Sequence, residues 1–288
     1  MNDHVKGLLI TAGGVLAITP DALLIKMSGM SAASLFFWRG MLVALMLTLP
    51  FILIWRGQFL AKWRAIGWPG IGVAFCYAVS TGCFVAANTQ TVAANVLVIV
   101  ATAPLFSSIF STLLLREPTP PRTWIASFIA LAGVAMVGAD EISRDAGLGE
   151  LLALGCAAFV SLSFVIIRRS RTVDMIPGTA LGAFIMGLAG CFWFEFPAGE
   201  TEWFAVLVSG LFFIPLAYLG LTVGPRYISA PEVGLFLLLE TVVGPIWVWL
   251  VLAEAPNRWG LIGGALILGA LLGNTLLGLR KRPVPRGT

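Results

Sequence analysis

Apolar residues run through this chain in ten nearly unbroken stretches: 7–26, 34–55, 67–88, 94–115, 122–139, 149–168, 177–195, 203–223, 232–252 and 258–279. Each is close to the ~20 apolar residues that a helix needs to cross a hydrocarbon core roughly 30 Å thick. None alternates polar with apolar at every second position, as a strand of a membrane barrel must, so the runs predict helices. The expected fold is an all-α integral membrane protein of ten transmembrane helices joined by short loops.

The pattern also repeats. Residues 94–138 and 230–273 each hold two apolar runs joined by a polar turn; an acid closes the first run (Glu117, Glu254) and a Trp opens the second (Trp124, Trp259). Such self-similarity predicts a duplication, with an N-terminal half at 1–140 and a C-terminal half at 141–288, five helices in each.

Composition agrees with a membrane chain: 59% hydrophobic and 11% charged residues leave too little polar surface to cover a soluble globule of 288 residues. The net charge of +4 does not point to nucleic acid, because the basic residues sit in the turns between spans. Fourteen fall on the side shared by the two termini and the even-numbered loops, three on the other side (Lys26, Arg144, Arg258), and Arg39 lies within span 2. By the positive-inside rule this places both termini in the cytoplasm of a plasma (inner) membrane. Five spans per half is an odd number, so the second half must enter the bilayer upside down. Two inverted repeats are a construction of secondary transporters, with the substrate held between them near the midplane around a central cavity.

The first run contains Asp21, ends in Lys26 and has no small-residue cleavage pattern, so it is expected to be a retained span. Cys76, Cys83, Cys156 and Cys191 all lie in apolar runs and are expected as buried thiols, without disulfides or metal.

Polar residues concentrate in spans 1, 3, 4, 6, 8 and 9, which are expected to face the cavity. Spans 2, 5, 7 and 10 are nearly featureless and are expected to face lipid or each other. Tyr77 and Thr81 share a helical face in span 3, Ser161 lies in span 6, and Tyr218 in span 8 corresponds to Tyr77 in the other half. A buried phenol needs a partner, so these four are substrate-binding candidates for a neutral or zwitterionic ligand. Glu240 is the deepest acid, about eight residues or ~12 Å into span 9. It reads as a proton-coupling carboxylate or partner of a substrate amine, or as a structural acid satisfied by a neighbouring helix.

Asp21 and Arg39 fall in adjacent spans at similar depth and are expected to form a structural ion pair. Pro20, Pro104, Pro215 and Pro245 interrupt spans 1, 4, 8 and 9 and read either as hinges or as packing kinks. Gly260, Gly264, Gly269 and Gly273 in span 10, with Ala126, Ala130 and Gly133 in span 5, suit close helix approach, with intramolecular packing and a monomer favoured over a dimer. Phosphorylated metabolites would need a basic cluster at depth, which Arg39 alone does not supply. The single His4 is placed in the N-terminal tail, and the acids are scattered. An intramembrane enzyme acting on lipid is therefore disfavoured, and no cofactor is expected.

Three stretches carry a family resemblance: FFWRGMLVAL at 36–45, TAPLFSSIFSTLLLREPTPPRTW at 102–124 and LLLETVVGPIWVWLVLAEAPNRW at 237–259. They resemble the drug/metabolite transporter superfamily, and within it the ten-span EamA family. The resemblance implies a basket of ten helices with alternating access to a central cavity. Among the members the chain most resembles the YddG type, exporters of aromatic and other neutral amino acids. It departs from the common pattern at Thr241, where many relatives have proline after the Glu, and at the turn Arg116-Glu117-Pro118. The expected function is export of small neutral metabolites, amino acids first, across the lipid bilayer. The alternative is a multidrug exporter in which Glu240 binds a cation.

Overall fold

The computed structural model describes residues 3–90, 93–137, 147–252 and 258–280, and every regular element among them is helical. In order these are α1 (Asp3–Ile18), α2 (Asp21–Ser28), α3 (Ala32–Trp55), α4 (Phe59–Ala65), α5 (Gly67–Gln90), α6 (Ala93–Val100), α7 (Ala103–Phe110), α8 (Pro121–Val137), α9 (Leu148–Arg169), α10 (Ile176–Gly190), α11 (Glu200–Val208), α12 (Ile214–Val223), α13 (Ala230–Leu252) and α14 (Arg258–Arg280). Six helical stretches are long and apolar enough to cross a membrane: Asp3–Ser28, Ala32–Trp55, Gly67–Gln90, Val96–Leu115, Leu148–Arg169 and Glu200–Arg226. Pro121–Met136, Ile176–Gly190 and Leu261–Leu277 are shorter apolar helices. The outer faces are greasy, with Leu53, Ile54, Leu113 and Leu151 all at least 65% exposed, a surface that hydrocarbon tolerates and water does not.

Proline explains where the long helices break. It has no N–H to donate and its ring collides with the preceding turn. At Pro20 the chain leaves α1 and restarts as α2, and at Thr102 it leaves α6 and restarts as α7 with Pro104 in its first turn. Ahead of Pro215, residues Ser209–Phe213 widen into a π-turn before α12 begins. α13 runs on as helix through Pro245, as α3 does through Pro50.

Side chains from other helices close these breaks. Trp247 Nε1 on α13 donates to Thr19 Oγ1 at 2.9 Å, while Thr19 itself donates to Leu16 O at 2.8 Å. Ser161 Oγ on α9 donates to Ala103 O at 2.8 Å.

Glycines let helices approach to backbone contact. A Cβ at Gly40 of α3 would collide with the Gly187 backbone of α10, and one at Gly182 of α10 with the Ala74 carbonyl of α5. Gly14 of α1 meets Gly220 of α12 in the same way. Gly133 of α8 abuts the Gly263 carbonyl of α14, and Thr123 donates to Asn274 Oδ1 at 3.0 Å across that seam. Ala126 and Ala130 are buried on the same helix, whereas a Cβ at Gly269 or Gly273 would meet nothing within 4 Å.

One expectation holds in part and one is corrected. Spans 2, 5, 7 and 10 do pack on each other, α3 on α10 and α8 on α14, but α10 also leaves the lipid: ten of its fifteen residues are buried, because its glycines let it sink between α3 and α5. As a result α3 carries Arg39 into the interior. His4 is not in a loose tail; it lies in the first turn of α1, is 2% exposed, and its Nε2 stands 3.8 Å from Glu232 Oε1 on α13.

Candidate functional site

The interior polar groups meet where α2, α3, α5, α10, α12 and α13 converge. The Pro20 break makes Asp21 the first residue of α2, where the unpaired N–H groups of a helix start favour a carboxylate. Arg39 Nη2 donates to Asp21 Oδ2 at 2.7 Å, with both side chains at most 3% exposed. Glu240 on α13, 5% exposed, is within electrostatic reach of both charges. Charges at this depth are unfavourable by about 2.5–3.5 kcal/mol each on insertion scales, so three together mark a place with a task.

Beside the charges runs a chain of hydroxyls. The Tyr77 and Tyr218 rings lie 5.1 Å apart, tilted by 54°. Tyr218 shares a short hydrogen bond with Thr81. Tyr77 reaches Thr222 at 3.4 Å, and Thr222 in turn pairs with Thr179 at 2.8 Å. Arg39, Thr81 and Tyr218, with apolar Val43, Met186 and Ile214, line a cavity of ≈ 10 Å³, about the room one water needs. The larger concavity, ≈ 490 Å³, lies on the flank of α3 and α10 among Met41, Leu45, Trp63, Leu181 and Phe184 and offers little beyond apolar contact.

Of the residues singled out in the sequence, Tyr77, Thr81 and Tyr218 are thus brought together, and Glu240 stands near the Asp21–Arg39 pair. The Ser161 hydroxyl is spent on the carbonyl at the α6–α7 break and is fully buried. Glu117 pairs with Arg168 at 3.4 Å and is half exposed, and Glu254 lies outside the described residues. The cysteines are free thiols, and among the described residues no three His, Cys, Asp or Glu side chains gather to hold a metal.

Sequence reasoning missed Thr179 and Thr222. Thr222 is one helical turn after Tyr218 and was visible as an i, i+4 neighbour; Thr179 sits in an otherwise apolar helix and gave no signal. Replacing Thr222 with Val removes the partner of two buried hydroxyls at once. It is expected to destabilise the protein by about 1–3 kcal/mol in a detergent unfolding titration, with Thr222→Ser recovering most of the loss.

Comparison with known proteins decides the family. The profile described as the EamA-like transporter family matches residues 6–139 and, a second time, residues 147–276. This chain belongs to the EamA-like transporter family. An uncharacterized transporter of Synechocystis sp. is 26% identical over 215 residues, covering 68% of this chain and 61% of that protein. The uncharacterized transporter YdfC of Bacillus subtilis is 26% identical over 191 residues, covering 63% and 62%. The EamA chain therefore spans about three-fifths of the length of these curated relatives. A solved crystal structure shares its fold, with a TM-score of 0.79 at 23% identity over 96% of this chain and 99% of that one.

Proposed function

We propose that this EamA protein is a secondary transporter that exports small neutral metabolites, aromatic and other neutral amino acids first, by alternating access. The observation that carries the reading is the convergence of Tyr218, Thr81 and Arg39 on one small cavity, with the Tyr77 ring against that of Tyr218 and with Glu240 in the same cluster. The Tyr218 ring with Val43, Met186 and Ile214 accepts an apolar or aromatic side chain, hydroxyls with Arg39 and Glu240 accept a zwitterion, and little else polar is offered. Among the described residues Arg39 is the one buried Lys or Arg side chain, so a phosphorylated metabolite finds too little positive charge.

The frame is ten spans in two inverted five-helix halves, 1–140 and 141–288, with both termini in the cytoplasm of the plasma membrane. The double match to one family profile supports the duplication, and the split of fourteen basic residues against three supports the inversion. Pro20, Pro104 and Pro215 stand at the breaks where half-helices bend, and Pro245 completes the hinge set in α13.

Counterflow of radiolabelled Phe, Thr and Met in proteoliposomes is expected to be saturable. No saturable flux of any amino acid overturns the substrate class. A second reading, export of organic cations, is favoured by the buried Glu240, whose Oε1 has no partner among the described residues. A Glu240→Gln variant that loses cation resistance yet keeps amino-acid flux selects it.

A further inference from the structure

We propose that Arg39 receives the carboxylate of the transported amino acid on its unused edge, that Asp21 is a positioning residue holding the guanidinium by its other edge, and that Glu240 takes the ammonium. This rests on the amino-acid reading above and gives the pair a role beyond a structural tie.

A guanidinium carries five donors in one plane and typically satisfies a carboxylate through two parallel hydrogen bonds. Arg39 and Asp21 do not pair that way. Their contact is the single Nη2–Oδ2 bond of 2.7 Å, and both Arg39 Nε and Asp21 Oδ1 are buried without a partner among the described residues. A pair kept only for stability has every reason to close the fork, because each buried orphan donor or acceptor is unfavourable by about 1–3 kcal/mol.

The open edge has somewhere to go. Arg39 lines the central cavity together with Thr81 and Tyr218, and it is 2% exposed, so a carboxylate reaching it meets a guanidinium already stripped of water. The third orphan in the cluster is Glu240 Oε1. Asp21 and Arg39 offset each other, so Glu240, the remaining acid of the cluster, is the group left to receive a substrate ammonium. Asp21, one residue after the break at Pro20, stands at the start of α2, and its single bond to Nη2 fixes how Arg39 is aimed.

The cavity in this conformation has room for about one water, so a whole amino acid enters as the half-helices part. Trp247 bonded to Thr19 places α13, and with it Glu240, against the same break that carries Asp21. Substrate side chain, carboxylate and ammonium then meet groups on different helices, which couples binding to their relative movement.

The test uses half-ligands as competitors of [3H]Phe counterflow in proteoliposomes: phenethylamine, which lacks the carboxylate, and 3-phenylpropionate, which lacks the ammonium. Arg39→Lys keeps the charge but not the fork. It is expected to raise KM for Phe at least tenfold while inhibition by phenethylamine stays as in wild type. Glu240→Gln is expected to show the mirror image, with Phe weakened and 3-phenylpropionate unchanged. Asp21→Asn is expected to raise KM severalfold with kcat retained. A merely structural pair moves both half-ligands together, and that pattern, or an unchanged KM in Arg39→Lys, overturns the inference while leaving the amino-acid reading intact. Absence of Phe, Thr and Met flux in the wild type overturns both. Should Arg39→Lys fail to fold, phenylalaninamide decides on the wild type: competition equal to that of Phe overturns the carboxylate site, and competition at least tenfold weaker supports it.

Discussion

Arg39→Leu is expected to lower stability by about 3–5 kcal/mol in a detergent unfolding titration, the range found when one partner of a buried ion pair is removed. The reason is what remains behind. Asp21 is 1% exposed, so without Arg39 its carboxylate is left ionised among apolar neighbours or must take up a proton in order to fold. The double variant Asp21→Asn/Arg39→Leu removes both charges and is expected to regain most of the loss, since a buried pair as a unit contributes little net stability. The same double variant has no guanidinium and is expected to bind no amino acid, separating folding from function in one protein. A double variant as unstable as Arg39→Leu would show that the loss comes from packing instead of from stranded charge.

Gly40→Leu is the second large effect. The Cβ that any other residue brings would already lie within the backbone of Gly187, and backbone cannot swing aside as the end of a flexible side chain can. α3 and α10 must separate, which moves Arg39, the neighbouring residue, away from Asp21. Overpacking of this kind is unfavourable by about 1–3 kcal/mol and more when backbone is the obstacle, so poorly folded protein with little Phe counterflow is expected. Gly40→Ala should already show part of the loss. Gly13→Ala and Gly82→Ala are the controls: nothing lies within 4 Å of a Cβ at either site, and alanine is the better helix former by about 0.5–1 kcal/mol, so both should be neutral or stabilising in the same titration.

Much of the architecture was legible because a bilayer imposes one-dimensional rules. A helix must be near twenty residues long, must be apolar and must end in turns, and each of these is written along the chain. The proline breaks at Pro20 and Pro104 were readable for the same reason, since a missing N–H acts locally. The neighbourhood of Tyr77 and Tyr218 was readable from their corresponding places in the two halves.

Other features depended on who meets whom. α10 looked bland because glycine and alanine carry no chemistry, yet their smallness is what admits the helix to the interior and delivers Thr179 to Thr222. Arg39 was expected to pair with Asp21, but its place beside Thr81 and Tyr218 follows only from the packing of α3 on α10, which turns it inward. Ser161 looked like a ligand group, and a carbonyl exposed by a break in another helix claimed it. Hydropathy and backbone chemistry act through neighbours in sequence, so the sequence by itself determined that the chain is a bundle of membrane helices and where several of them break. The partners of a buried polar atom are set by interhelical distances, and only the tertiary structure decided that Asp21, Arg39, Thr81, Tyr218 and Glu240 would share one site.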